Sequence, residues 1–98
     1  MAVRLAILAL LDARPGKGDE LAEFLRAGRE LAAAEPGTVT WYAFKISETR
    51  YGIFDTFETS DAREAHLAGQ IPRALSQVAP DLLAGDPDIR TIDIVAVK

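Results

Sequence analysis

Cysteine is absent from the 98 residues, which removes disulfides, thiolate nucleophiles and thiolate metal sites together. Histidine occurs once, as His66, and the carboxylates show no ligand spacing that repeats on one face, so a metal centre has little to be built from. Basic residues are few and scattered: eleven Lys and Arg against fifteen Asp and Glu give a net charge of -4, which argues against nucleic acid as a partner. No apolar run reaches the roughly 20 residues of a membrane span. The longest, Val3 to Leu11, has only Arg4 near its start and no small-residue cleavage site after it, so it reads as a strand of a cytoplasmic protein with no membrane partner rather than as a signal peptide. A Gly-rich phosphate loop after a strand, a GxSxG elbow and an aromatic RNA-binding motif are missing as well.

What is present is enough apolar material for one domain: 49% apolar and 27% charged residues are the proportions of a chain that folds, and 98 residues suit a single domain spanning 1–98. Val3 to Leu11 is almost continuously apolar and predicts a strand covered on both faces. Arg14, Pro15 and Gly16 break it. From Lys17 to Ala34, Leu21, Phe24, Leu25, Gly28, Leu31 and Ala32 recur at helical spacing, with Glu20, Glu23, Arg26, Arg29 and Glu30 opposite them on what should be a solvated face. Gly28 lies on the apolar stripe, where the commoner use of glycine is close packing on a sheet and the other is room for a ligand. Glu35, Pro36 and Gly37 end this helix.

Two strands follow, Thr38 to Ile46 and Tyr51 to Glu58, rich in β-branched and aromatic residues and joined by a polar linker, which predicts a hairpin. A four-residue loop would set Ile46 opposite Tyr51 and place Thr40, Tyr42 and Phe44 on the face of Ile53, Asp55 and Phe57; a loop one residue longer or shorter would put Trp41 there instead. Ser60 or Asp61 is the expected cap of the next helix, which Gly69 ends. Pro72 suits the first turn of a further helix carrying Leu75, Val78, Ala79 and Leu82, and Pro80 should kink or split it. Ile89 to Val97 reads as the last strand. The order βαββαβ, with right-handed crossovers, predicts an α+β, ferredoxin-like fold: a four-stranded antiparallel sheet with its helices on one face. The other face is also apolar, and a second copy of the chain is the expected cover.

His66 is the one side chain that titrates near neutral pH without perturbation. On its helix, Ala62, Ala65, His66 and Gly69 share a face, so the imidazole should look inward over small residues. Asp55, in an otherwise apolar strand, needs a partner if buried, and His66 or Arg63 could serve; solvent at a sheet edge is the third possibility. A lone inward histidine is as often a hydrogen-bonded packing residue as a functional one. The aromatics are individually core or dimer contacts before they are ligand walls.

Taken together, the opening strand followed by RPGKGDEL (14–21), AEPGTVTWYAF (34–44), and YGIFDTF followed by AREAHLAG resemble the antibiotic biosynthesis monooxygenase family, small dimeric α/β barrels that include quinol oxygenases. The resemblance covers nearly the whole chain. It implies a homodimer and cofactor-independent oxygenation of a small aromatic, in which a phenol or quinol is deprotonated and its anion reduces oxygen. On that pattern His66 is the base, Asp55 orients it or holds its cation, and Trp41, Tyr42, Phe54 and Phe57 are the walls. Phe57 stands where many members have Trp, and the chain has no asparagine, which some members place near the substrate. The rival reading is a non-catalytic dimeric barrel that binds a small apolar ligand or has a structural role.

Overall fold

A computed structural model describes residues 3–98. Its elements are β1 (Leu5–Asp12), α1 (Gly18–Ala33), β2 (Thr38–Lys45), β3 (Arg50–Phe57), α2 (Ser60–Leu67), α3 (Gln70–Leu82) and β4 (Asp88–Asp93). The strands form one antiparallel sheet in the order β2-β3-β1-β4, which is the ferredoxin-like arrangement. Arg14-Pro15-Gly16-Lys17 turns the chain out of β1: Gly16 takes φ of 78° and the Lys17 amide donates to the Arg14 carbonyl at 2.9 Å. Proline second and a left-handed glycine third is the sequence a type II turn demands.

Alternation along the strands decides the two faces. Leu11 and Ala9 on β1 and Tyr51 and Ile53 on β3 are buried with Leu21 and Leu25 of α1 and Leu75 and Leu82 of α3, forming the main core. The helix-covered face also holds Ile7, Asp55 and Phe57. On the opposite face Leu8, Leu10, Phe44 and Phe54 are only half-buried and Tyr42 is 59% exposed.

The hairpin takes the shorter of the loops that the sequence left open. The hairpin pairs Lys45 with Tyr51, and the Ile46 amide donates to the Arg50 carbonyl at 2.8 Å, so its loop is Ser47, Glu48 and Thr49, one residue shorter than a four-residue loop. Ser47 Oγ accepts from the Arg50 amide at 3.0 Å, closing the tight turn with a side chain. That register places Trp41 opposite Asp55 and sends Tyr42 to the other face beside Phe54. The expected cap of α2, Ser60 or Asp61, is corrected to Thr59, whose hydroxyl accepts from the Ala62 amide at 3.1 Å. Pro80 lies inside α3 without splitting it in two, and its ring nitrogen leaves one backbone bond of that helix unmade. Gly69 separates α2 from α3, so the second crossover contains two helices. β4 ends at Asp93, four residues before the expected limit; Val95 and Val97 beyond it are 98% and 67% exposed.

Candidate functional site

Three ionisable side chains meet under α2. Asp55, in the middle of β3, is fully buried between Ile7 and Trp41 on the flanking strands. His66 comes down from α2 and is 5% exposed, with its Nε2 2.9 Å from Asp55 Oδ2. Its Nδ1 lies 2.7 Å from Glu35 Oε1. Glu35 follows α1 directly, is 21% exposed at its side chain, and also accepts from Thr38 Oγ1 at 2.6 Å. The three elements are thus tied through one imidazole.

The geometry determines the ring's charge. The Asp55 contact is an ion pair lying off the hydrogen-bond axis, and neither Asp55 oxygen accepts an aligned hydrogen bond from the described residues. A carboxylate so placed is tolerable only beside a cation. Burial pulls the His66 pKa down and is the largest single influence, but Asp55 and Glu35 together outweigh it and hold the pKa above its ordinary 6.5. The imidazolium is therefore favoured, with a carboxylate on each ring nitrogen. Those carboxylates stand on opposite edges of the ring and cannot converge on one metal ion; no metal-binding group of His, Asp and Glu occurs among the described residues.

Phe57 is fully buried, and its ring lies 5.4 Å from the His66 ring at 51°, an edge-tilted contact that fixes the imidazole plane. Beside the trio is a cavity of about 300 Å³ lined by Leu31, Ala34, Glu35, Pro36, Gly37, Thr38, Ala62, Ala65, His66, Gly69 and Gln70. Small residues make this room: a Cβ on Gly37 would stand 2.7 Å from that of Ala62, and one on Gly69 would stand 3.1 Å from Glu35 Oε2.

Of the residues singled out in the sequence, His66 and Asp55 are in contact and Phe57 packs on His66. The other proposed walls are elsewhere. Trp41 shares the helix-covered face but lies against Gly28, whose Cβ would meet the indole at 3.4 Å, and with Tyr42 it lines a separate groove. Tyr42 is on the far side of the sheet because the hairpin loop is shorter by one residue, and Phe54 is there because it alternates with Asp55 along β3. Arg63 does not pair with Asp55; its Nη1 reaches the Ile92 carbonyl at 3.3 Å and the Ala6 carbonyl at 3.5 Å. Glu35 is the member that sequence reasoning passed over as a helix terminator. One signal pointed to it: an acidic residue at the C-terminal end of a helix opposes the macrodipole and asks for a compensating cation.

A protein of unknown function from Nitrosomonas europaea matches the chain at 41% identity with a TM-score of 0.95, over 98% of this chain and 93% of that one. The chain belongs to the same family as that protein. Neither a family model nor a curated protein matches it. A second Nitrosomonas europaea protein, described as a candidate antibiotic biosynthesis monooxygenase, matches at 14% identity and a TM-score of 0.83, covering 97% of this chain and 93% of that chain. One from Caulobacter crescentus, described in the same way, matches at 23% identity and 0.79, covering 96% and 92%. At those identities the likeness is one of fold, and it is the fold that the resemblance in the sequence implied.

Proposed function

We propose that the chain is a homodimeric, cofactor-independent monooxygenase acting on a small aromatic of the quinol or polyphenol type. The observation that carries this reading is the row of ionisable side chains running from sealed Asp55 through His66 to Glu35 on the wall of a cavity of about 300 Å³. That volume is at the small end of ligand pockets, which suits a single ring better than an extended one. Two carboxylates and one imidazolium carry a net negative charge, so the trio can take up a proton. A phenolic hydroxyl in the cavity gives its proton to Glu35, and the positive charge of the neighbouring His66 ring, whose two nitrogens stay with Glu35 and Asp55, steadies the phenolate left behind. Glu35 thus takes the role of base that the family resemblance gave to His66, and His66 stays in the catalytic group as the cation beside the phenolate, with Asp55 as its partner.

The redox balance closes on the substrate. A quinol and dioxygen give a hydroxyquinone and water: one oxygen atom replaces a ring hydrogen and the other leaves as water. The electrons come from oxidation of quinol to quinone and from the ring C–H bond, so no separate reductant is required. The fold likeness to structures described as candidate monooxygenases supports the class of chemistry.

A second observation favours the rival. Both nitrogens of His66 are engaged and the ring is 5% exposed, which equally suits a structural clamp in a non-catalytic barrel that binds a small apolar ligand. Oxygen uptake by metal-free protein against a panel of quinols and polyphenols separates the two. The enzyme reading expects uptake above the blank in the parent and its loss in Glu35→Gln and His66→Gln. Ligand binding with no uptake for any substrate of the panel favours the non-catalytic barrel.

Dimerisation belongs to the same proposal. The half-exposed face of Leu8, Leu10, Phe44 and Phe54, extended by exposed Tyr42, is larger than scattered apolar side chains and is continuous across three strands. Covering several hundred Å² of it at ~25 cal/mol per Å² contributes several kcal/mol before association costs. Sedimentation equilibrium at micromolar concentration should therefore give a dimer. A well-folded monomer would refute the assignment.

A further inference from the structure

Away from His66, where α1 meets the edge strand β2, lies a groove of about 550 Å³ that also takes in Tyr42 and Phe44 from the opposite face of that strand. We propose that this groove is a second ligand site, selective for a flat aromatic anion such as an aryl carboxylate. Its interior is apolar: Leu25 and Tyr51 are buried, and the Trp41 indole reaches α1, where a Cβ on Gly28 would meet it at 3.4 Å. Its rim is cationic. Arg26 and Arg29, one helical turn apart, face it from α1, and Lys45 faces it from the end of β2, while no carboxylate lines it. Each cation has its acidic neighbour outside the lining, Glu23 for Arg26, Glu30 for Arg29 and Glu48 for Lys45, all in exposed pairs, so what the groove itself presents to an anion is three cationic donors and no carboxylate.

Two further features suit that ligand. The guanidiniums are held only by neighbours on their own helix, Arg26 by Glu23 and Arg29 by Glu30, with both arginine side chains 70% exposed. Exposed pairs of this kind are weak, so either arginine can exchange its glutamate for a bidentate grip on a bound carboxylate. The Trp41 Nε1–H is buried and finds no acceptor among the described residues, which leaves the groove's aromatic wall with an unused donor. Aromatic body and anionic head are thus matched by different parts of one cleft. The site is separate in its lining residues from the His66 cavity, and it does not depend on any chemistry there.

Trp41 is the only tryptophan, so its indole N–H gives a single resonance in an ¹⁵N-correlated NMR spectrum. Titration with 2-naphthoate should shift that resonance saturably, together with backbone amides in 22–29 and 41–45. The uncharged isostere 2-naphthamide should bind about tenfold more weakly, as should 2-naphthoate with Arg26→Gln/Arg29→Gln, since each loses a charge-assisted contact. Both arginines are exposed, so the variant's remaining spectrum should match the parent's. Equal binding of acid and amide, or of parent and variant, would overturn the anion assignment. Shifts centred on 62–69 instead, or none that saturate by millimolar ligand, would overturn the site.

Discussion

The His66 corner and the Trp41 groove lie on one sheet and both draw on α1, yet they handle charge in opposite ways. In the corner, Asp55 and His66 are sealed and their charges can be balanced only by each other and by Glu35. In the groove, apolar residues form the interior and the cations stay at the rim, where water screens them. A buried charge depends on its partners being in register, so the fold and the site stand or fall together. An exposed charge can be altered with little effect on the fold, which leaves binding free to vary.

The sharpest way to break this contrast is at Asp55. Replacing it with Asn removes one partner of a buried pair and should destabilise the protein by about 3–5 kcal/mol in urea unfolding. The same change should lower the His66 pKa, read by NMR titration of the imidazole, because the carboxylate is one of the influences that raise it. An unchanged titration would show that the 2.9 Å contact carries no coupling.

Gly28 tests the groove side of the comparison. Its Cβ would meet Trp41 at 3.4 Å, so Ala should be accommodated with small adjustments, while Leu should overpack and cost roughly 1–3 kcal/mol. A Gly28→Leu protein as stable as the parent would mean that the indole can move out of the way and that the groove is not preformed.

Stability should also depend on pH through the corner. The His66 pKa is raised in the folded protein, so its contribution is fully present below the unfolded value near 6.5 and is lost as pH rises through the folded value. Denaturation midpoints of the parent should decline across that window more than those of His66→Gln. Parallel pH profiles would remove His66 from the linkage.

The smallest effect is expected at the groove rim. Arg26→Gln should alter stability by no more than about 0.5 kcal/mol, since its ion pair with Glu23 is exposed. A larger loss would mean that the rim, like the corner, is part of what holds the fold together.

How much of this was legible in the sequence follows the same divide. The strands, the long amphipathic helix and the topology were readable because hydrophobic periodicity and turn residues are local signals. The contact of His66 with Asp55 was also within reach, since inward placement of two polar residues on neighbouring elements limits the choices. The wall residues were not, because one residue of loop length exchanges Trp41 for Tyr42 across the sheet, and Ser47, whose side chain closes the turn, gives no strong signal of that length. Glu35 was hidden by company: between Ala34 and Pro36 it looks like punctuation, and only the approach of a helix 31 residues further on, at His66, gives it a partner.

The sheet order has a consequence for how the chain acquires its structure during synthesis. β1 is the first strand made, but it sits in the interior of the sheet, between β3 and the last strand, with Leu5 opposite Asp93. A nascent chain can close the β2–β3 hairpin and join β1 to it while the ribosome is still working. One edge of β1 must then wait for residues 88–93 to emerge. Until they do, its amides and carbonyls on that side are an open template in an almost wholly apolar strand, the condition under which a growing chain is most exposed to pairing with another copy of itself.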